Sequence, residues 1–140
     1  MWYNKIMVWL LRSPLHSMIS SGIMIIGFSG SKSGKSYSTP VNYYKIDETI
    51  YAISDRSRTW WKNIKKNPDL DLFIKRENFS GKGIIIDSKV QVEDALAIIY
   101  KKNPQIAKYM KVEMVEGEPV LKDIQKLSDN TIVIKITLIA

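Results

Sequence analysis

The chain has 140 residues, 45% of them hydrophobic and 25% charged, the composition of one globular domain spanning 1–140 rather than of a disordered chain. It has no cysteine and one histidine, which excludes disulfides, thiolate metal centres and cysteine nucleophiles and argues against His-based metal sites or Ser-His-Asp triads. Lysine and arginine number 21 against 14 acids, a net charge of +7, and the first acid is Asp47, so Lys5, Arg12, Lys32, Lys35 and Lys45 precede it unopposed. Such a field attracts polyanions: nucleic acid, a membrane surface, or a phosphorylated cofactor or substrate.

Trp2 to Ile19 repeats apolar residues at helical spacing and is broken by Pro14, with Ser13 placed to cap the second piece. The apolar run Ile6 to Leu11 lacks a small-residue cleavage site and meets Arg12, Pro14 and His16 at once, so export is not expected and the cytoplasm is. Ile23 to Phe28 is the longest apolar stretch, far short of the ~20 residues that span a membrane, and suits a buried strand. Ser36 to Lys45 is rich in Tyr, Thr and Val, with Pro40 as an edge or bulge signal. Asp47-Glu48 then predicts a turn into a strand at Ile50 to Ser54.

Thr59 to Lys66 reads as a helix capped by Thr59 and ended by Asn67-Pro68. Leu70 to Lys75 and Gly81 to Asp87 alternate as strands around a turn expected at Asn78 to Ser80. From Val92 the period returns to 3.6, with Glu93 and Asp94 in the first turn and Lys101-Lys102 in the last, as the helix dipole favours. Pro104 to Met110 predicts a short helix, Leu121 to Leu127 another turn of helix, and Thr131 to Leu138 a final strand. Six strands, mostly in hairpins, with helices at the start and late in the chain, predict an α+β fold: a small six-stranded antiparallel barrel with helical additions.

Two clusters hold the candidate chemistry. Gly30-Ser31-Lys32-Ser33-Gly34-Lys35-Ser36 is not a nucleotide P-loop, because the required first glycine would fall on Ser29 and the segment joins two strands rather than opening a helix. Its composition still suits a phosphate grip, from glycines that free backbone N–H groups and from the hydroxyls and ammonium groups of Lys32, Ser33, Lys35 and Ser36. A solvated hairpin tip has the same composition for turn reasons alone. The second cluster, Ser54-Asp55-Arg56-Ser57-Arg58-Thr59-Trp60-Trp61-Lys62-Asn63, lies between a strand end and a helix start. Adjacent helical residues point about 100° apart, so one tryptophan can pack inward while the other lies over a flat ligand.

Leu11-Arg12-Ser13-Pro14-Leu15-His16, then Ser33-Gly34-Lys35-x-Tyr37-x-Thr39-Pro40-Val41-Asn42-Tyr43, then Arg58-Thr59-Trp60-Trp61-Lys62-Asn63 resemble the split β-barrel flavin-binding superfamily. More closely they are similar to its deazaflavin-dependent nitroreductase and quinone-reductase-like branch, related to pyridoxamine-phosphate oxidase, over about Leu10 to Ile86. The resemblance implies a six-stranded split barrel, a homodimer, and a flavin-type cofactor in a groove near the subunit interface. It implies that Lys32, Ser33, Gly34 and Lys35 to Tyr37 face the cofactor phosphate and that Pro40 and Asn42 run under the ring system. Ser54 falls at the ring edge or phosphate, and Trp60, Trp61 and Asn63 close the site. Tyr37 stands where deazaflavin members carry an arginine, and Asp55-Arg56 where they carry Lys-Gly, so Arg56 or Arg58 is expected to supply the missing charge.

The expected activity is hydride transfer to a quinone, nitro or other conjugated acceptor, the cofactor being the deazaflavin coenzyme or FMN. The acid-free first third of the chain favours the deazaflavin, which carries a phosphate and an acidic oligoglutamate tail. Tyr43 is a candidate proton donor, while His16 reads as structural. Two other classes compete: a non-catalytic module that holds flavin, haem or a related phosphate ligand, and a nucleic-acid-binding protein with Lys and Arg interleaved among Trp and Tyr.

Overall fold

A computed structural model of the chain describes residues 22–46 and 49–139; the expected N-terminal helices and the Asp47-Glu48 turn lie outside the described residues. The chain runs β1 (Ile23–Ser29), β2 (Ser36–Ile46), β3 (Thr49–Asp55), α1 (Lys62–Lys66), β4 (Asp69–Ile74), β5 (Glu77–Ile86), α2 (Lys89–Lys102), α3 (Pro104–Tyr109), β6 (Met114–Val115), β7 (Glu118–Pro119), α4 (Leu121–Ser128) and β8 (Thr131–Ile139). Six strands close an antiparallel barrel in the order β1-β2-β3-β8-β5-β4, and β6 and β7 form a small separate hairpin. The α+β class and all six barrel strands are those expected from the sequence.

Alternation along the strands explains two cores. Ile132, Ile134 and Ile136 of β8 point into the barrel beside Met24, Ile26, Ile50, Ala52 and Leu72. Val133 points the other way, with Tyr51 of β3, and is covered by Val92, Ala95, Leu96, Ile99 and Tyr100 of α2. Those α2 residues recur at i, i+3, i+4, i+7 and i+8, the stripe a helix needs to bury one face. The short helix α1 is held from both sides. Ile64 is buried against β5, where Gly83 leaves room; a Cβ there would stand 2.8 Å from Leu70 Cδ1 and 3.2 Å from Ile64 Cγ2. Lys65 of α1 pairs with Asp87 just after β5.

One feature of the register matters for function. β2 pairs with β1 along Ser36 to Asn42, but with β3 only along Tyr43 to Ile46. β3 instead stays with β8 through Asp55. Beyond the Tyr43–Ala52 pair, β2 and β3 therefore diverge and leave one edge of β2 without a strand partner among the described residues. Pro40, which has no N–H to give a ladder, stands in that unpaired half.

Several boundaries differ from the expectation. The β4–β5 turn falls at Lys75-Arg76, not at Asn78 to Ser80. Both turn residues have positive φ, 48° and 70°, the two-residue hairpin geometry that matches strand twist, and the turn-like Asn78 to Ser80 is strand. α2 begins at Lys89, because Ser88 caps it by accepting from Gln91 N–H, so Glu93 and Asp94 sit in its second turn. α1 starts at Lys62, and Thr59 contributes its carbonyl to Lys62 N–H rather than a side-chain cap. Tyr100 gives the fold a pH signature. Burial first, then the neighbouring Tyr44, pushes its phenol up to about 12. The unfolded chain loses that proton from about 10, so this stability is complete below about pH 10 and is lost as pH rises toward 12. Urea unfolding of Tyr100→Phe should show a shallower stability loss than the wild type between pH 10 and 12.

Candidate functional site

The opening between β2 and β3 holds two adjoining clefts. The larger, of about 930 Å³, lies between the β1–β2 loop and the Ser57 to Asn63 segment and includes Lys32, Ser33, Tyr37, Arg58, Trp60 and Lys62 in its lining. Its volume is that of a site for a large organic ligand. The smaller, about 460 Å³, sits in the split itself, between Pro40, Val41 and Asn42 of β2 and Ile53, Ser54 and Asp55 of β3. Arg58 and Trp60 line both and form the partition.

The loop is shaped by its own bonds. Gly30 N–H donates to Lys35 O (2.8 Å), Gly34 N–H to Gly30 O (3.0 Å), and Lys35 N–H to Ser33 Oγ (3.3 Å). Glycine at 30 lets the Tyr37 ring and Ser33 Oγ close over the loop; a Cβ there would lie 2.8 Å from the ring and 2.9 Å from Ser33 Oγ, so these side chains would have to shift. Among the described residues, the backbone N–H groups of Lys32 and Ser33 at the tip make no hydrogen bond. Two free consecutive donors beside an ammonium group make an anion-accepting tip. The opposite wall supplies Arg58 and Lys62, and no acid among the described residues lines this larger cleft.

An aromatic row crosses the groove. Phe28 stacks on Tyr37 with ring centroids 5.9 Å apart and tilts against Trp60 at 5.6 Å. Trp60 Nε1 is buried without an acceptor among the described residues. A groove rich in cations and N–H donors and crossed by an aromatic row suits a ligand that is flat and anionic. The smaller cleft adds one negative group. Ser57 gives Asp55 Oδ1 its backbone N–H (3.1 Å) and its hydroxyl (3.0 Å). Those bonds, backbone first, and then the Arg58 charge hold the Asp55 carboxyl below its usual range, so it is an ionised acceptor at neutral pH and not a proton donor.

The structure brings together Lys32, Ser33, Tyr37, Arg58, Trp60 and Asn63 in the larger cleft, and Pro40, Asn42 and Ser54 in the smaller. It departs from the expectation at six residues. Gly34 and Lys35 form the back of the loop and line neither cleft, and Ser36 lines a separate depression beside Asp69 and Asp71. Arg56 lines neither cleft, and its guanidinium donates one bond to Thr131 O (3.2 Å) where β3 meets β8. Trp61 is 4% exposed and belongs to the barrel core, because the turn before α1 directs it inward as it directs Trp60 to the groove. Tyr43, 7% exposed, packs in the barrel core next to Asn42, where the β2–β3 ladder stops, and lines neither cleft but a separate depression with Lys45, Lys75 and Lys102; burial raises its phenol pKa, which weakens it as a proton donor. Sequence reasoning gave no site role to Phe28, Ser31, Thr39 or Lys62, although the last three lie in the segments it singled out; Lys62 was detectable as a further cation in the Arg58 to Asn63 segment.

The two tryptophans should separate on substitution. Trp61→Ala should cost about 3–5 kcal/mol of stability by calorimetry or urea titration, as for a large core side chain. Trp60→Ala should cost less stability and more ligand affinity, measured on the same preparations.

Relatives give the groove a context. A family model described as F420H(2)-dependent quinone reductase matches residues 15–113. No curated protein matches the sequence. Among solved structures, an FMN-binding protein related to pyridoxamine 5'-phosphate oxidase, from Nostoc punctiforme, is similar at 13% identity and TM-score 0.56, over 98% of this chain and 80% of that one. An F420-H2-dependent reductase, FDR-A, is similar at 15% identity and TM-score 0.50, over 81% and 93%. A structure described as a domain-swapped dimer is similar at 14% identity and TM-score 0.52, over 95% and 96%. At such identities the likeness speaks for the shared barrel. No helix among the described residues is long and apolar enough to cross a membrane. Since the matched residues 15–113 take in β1 to α3 and both clefts, the chain belongs to the F420H(2)-dependent quinone reductase family and is a reductase that works with a flavin-type cofactor, the deazaflavin coenzyme or FMN.

Proposed function

We propose that the larger cleft holds the phosphate end of the cofactor and that the split between β2 and β3 receives the ring system and the acceptor. The observation that carries this is the distribution of charge and aromatic surface. Lys32, Arg58 and Lys62 line one cleft with no acid among them, while Pro40, Val41, Ile53 and Trp60 give the other its apolar walls. Of the two cofactors, we propose the deazaflavin. The family description names its reduced form, and the cationic cleft suits a ligand with more negative charge than FMN.

The cofactor supplies the hydride when bound, and the protein's part is placement. Lys32 and the free N–H groups of the loop tip bind the phosphate; Arg58, between the clefts, faces both ends of the ligand. Trp60 and the apolar strand residues exclude water from the reacting ring. Asp55, held ionised, accepts N–H donors at the ring edge and gives no proton, and Tyr43 lines neither cleft. With no acid tuned for proton donation in the two clefts among the described residues, the proton that completes reduction of a quinone comes from solvent or from the acceptor's own equilibrium.

Titration with the deazaflavin coenzyme and with FMN at two salt concentrations tests this assignment. The deazaflavin should bind at micromolar concentration and weaken as salt rises, and the Lys32→Ala, Lys62→Ala double variant should lose roughly tenfold at low salt and less at high salt. Binding of neither cofactor would overturn the assignment.

We also propose a homodimer, supported by the resemblance, by the domain-swapped dimer among the structural neighbours, and by the exposed Ile84 and Ile139 on the adjacent strands β5 and β8. Sedimentation at micromolar protein should report two chains; a clean monomer would contradict it.

A further inference from the structure

Asn63, the second residue of α1, touches both walls of the larger cleft. Its Oδ1 accepts the backbone N–H of Ser31 at 3.0 Å, and its Nδ2 donates to Trp60 O at 2.9 Å. The first bond reaches across 32 positions of sequence to the β1–β2 loop. The loop's other polar contacts stay local: Gly30 to Lys35, Gly34 to Gly30, Lys35 to Ser33, and Ser33 Oγ to the Tyr37 hydroxyl at 3.3 Å. Among the described residues, Asn63 is thus the one hydrogen-bonded tie between the anion-accepting tip and the segment that carries Arg58, Trp60 and Lys62.

We infer that Asn63 is a positioning residue that fixes the separation of the two walls, so that the cofactor's phosphate and its ring meet a preformed groove. This rests on the cofactor placement proposed above. An untied loop of glycines, serines and lysines samples many conformations, and a ligand that needs one of them loses affinity to the cost of ordering it. The asparagine amide matches both of its partners because it offers an acceptor at one end and a donor at the other. Aspartate has the same shape but would set a carboxylate oxygen against Trp60 O and bring negative charge into a cationic cleft. Alanine removes both bonds. Each end of the amide is engaged within the protein, and it is through Ser31 and Trp60 that Asn63 is assigned its effect on the ligand.

The experiment compares wild type, Asn63→Ala and Asn63→Asp in three measurements: amide hydrogen exchange at Ser31 without cofactor, calorimetric titration with the deazaflavin coenzyme and with FMN, and thermal unfolding. Steady-state reduction of a soluble quinone at saturating cofactor adds a fourth. The expected result for Asn63→Ala is faster exchange at Ser31, about tenfold weaker cofactor binding, and a kcat within about twofold of wild type, with little change in melting temperature. Asn63→Asp should bind more weakly still, and its deficit should shrink as salt rises. Unchanged exchange at Ser31, or unchanged cofactor affinity in both variants, would overturn the positioning role while leaving the cofactor placement intact. Loss of binding that tracks a collapse of the melting temperature in both variants would also overturn it, by showing a structural residue. A wild-type protein that binds neither cofactor would overturn the placement and this role together.

Discussion

The site depends on where the β2–β3 ladder stops. Both strands remain hydrogen-bonded on their other edges, β2 to β1 and β3 to β8, so their divergence after Tyr43 and Ala52 opens a gap without unravelling the barrel. Unpaired strand edges are ordinarily a liability, because they expose backbone donors and acceptors to any passing chain. Here the Ser57 to Asn63 segment and α1 cover part of the gap, and the remainder is the pair of clefts. Closing the ladder would remove the smaller cleft outright, since Pro40 to Asn42 and Ile53 to Asp55 would become direct neighbours.

Around that gap, local packing decides which groups are presented. Gly83 lets Ile64 seat α1 against β5, and the fixed helix in turn sends Trp61 into the barrel and Trp60 to the partition. Phe28, at the end of β1, backs Tyr37 and Trp60, so the barrel core continues into the aromatic row of the groove. The charged groups sit at the rim, exposed to solvent. Individually such contacts contribute little, but three cations converging on one doubly or multiply charged ligand act together and respond to salt. The proposed placement follows this division: the cofactor carries the reactive ring, while the chain offers charge in the larger cleft and apolar walls with an ionised carboxylate in the smaller.

Much of the fold was legible because the strands alternate cleanly. Ile132, Ile134 and Ile136 against Lys135 and Thr137, or Leu70 and Leu72 against Asp69 and Asp71, leave one face for the core. The β4–β5 turn was not legible, because its residues are Lys75 and Arg76, which adopt left-handed backbone only at a cost, while Asn78 to Ser80 carry the composition of a turn. The site was legible as two clusters and not as individual contacts. Composition could mark Lys32 and Ser33 as a grip, but it could not tell that Arg58 lines both clefts while Arg56 bonds Thr131 O, 75 residues away. Likewise Tyr43 reads as a plausible donor until packing shows its side chain buried in the barrel core and lining neither cleft, although its neighbour Asn42 lines the split. Alternation tells which face of a strand a residue occupies; only the folded barrel tells what that face meets.

A crystal structure of the protein with the deazaflavin coenzyme bound tests the central claim, that the split in the barrel is the cofactor groove. The phosphate should lie within hydrogen-bond reach of the Lys32 and Ser33 backbone N–H groups, with the ring between Pro40 to Asn42 and Ser54. A coenzyme seated instead in the cleft beside Tyr43, Lys45, Lys75 and Lys102, with the split empty, would contradict it.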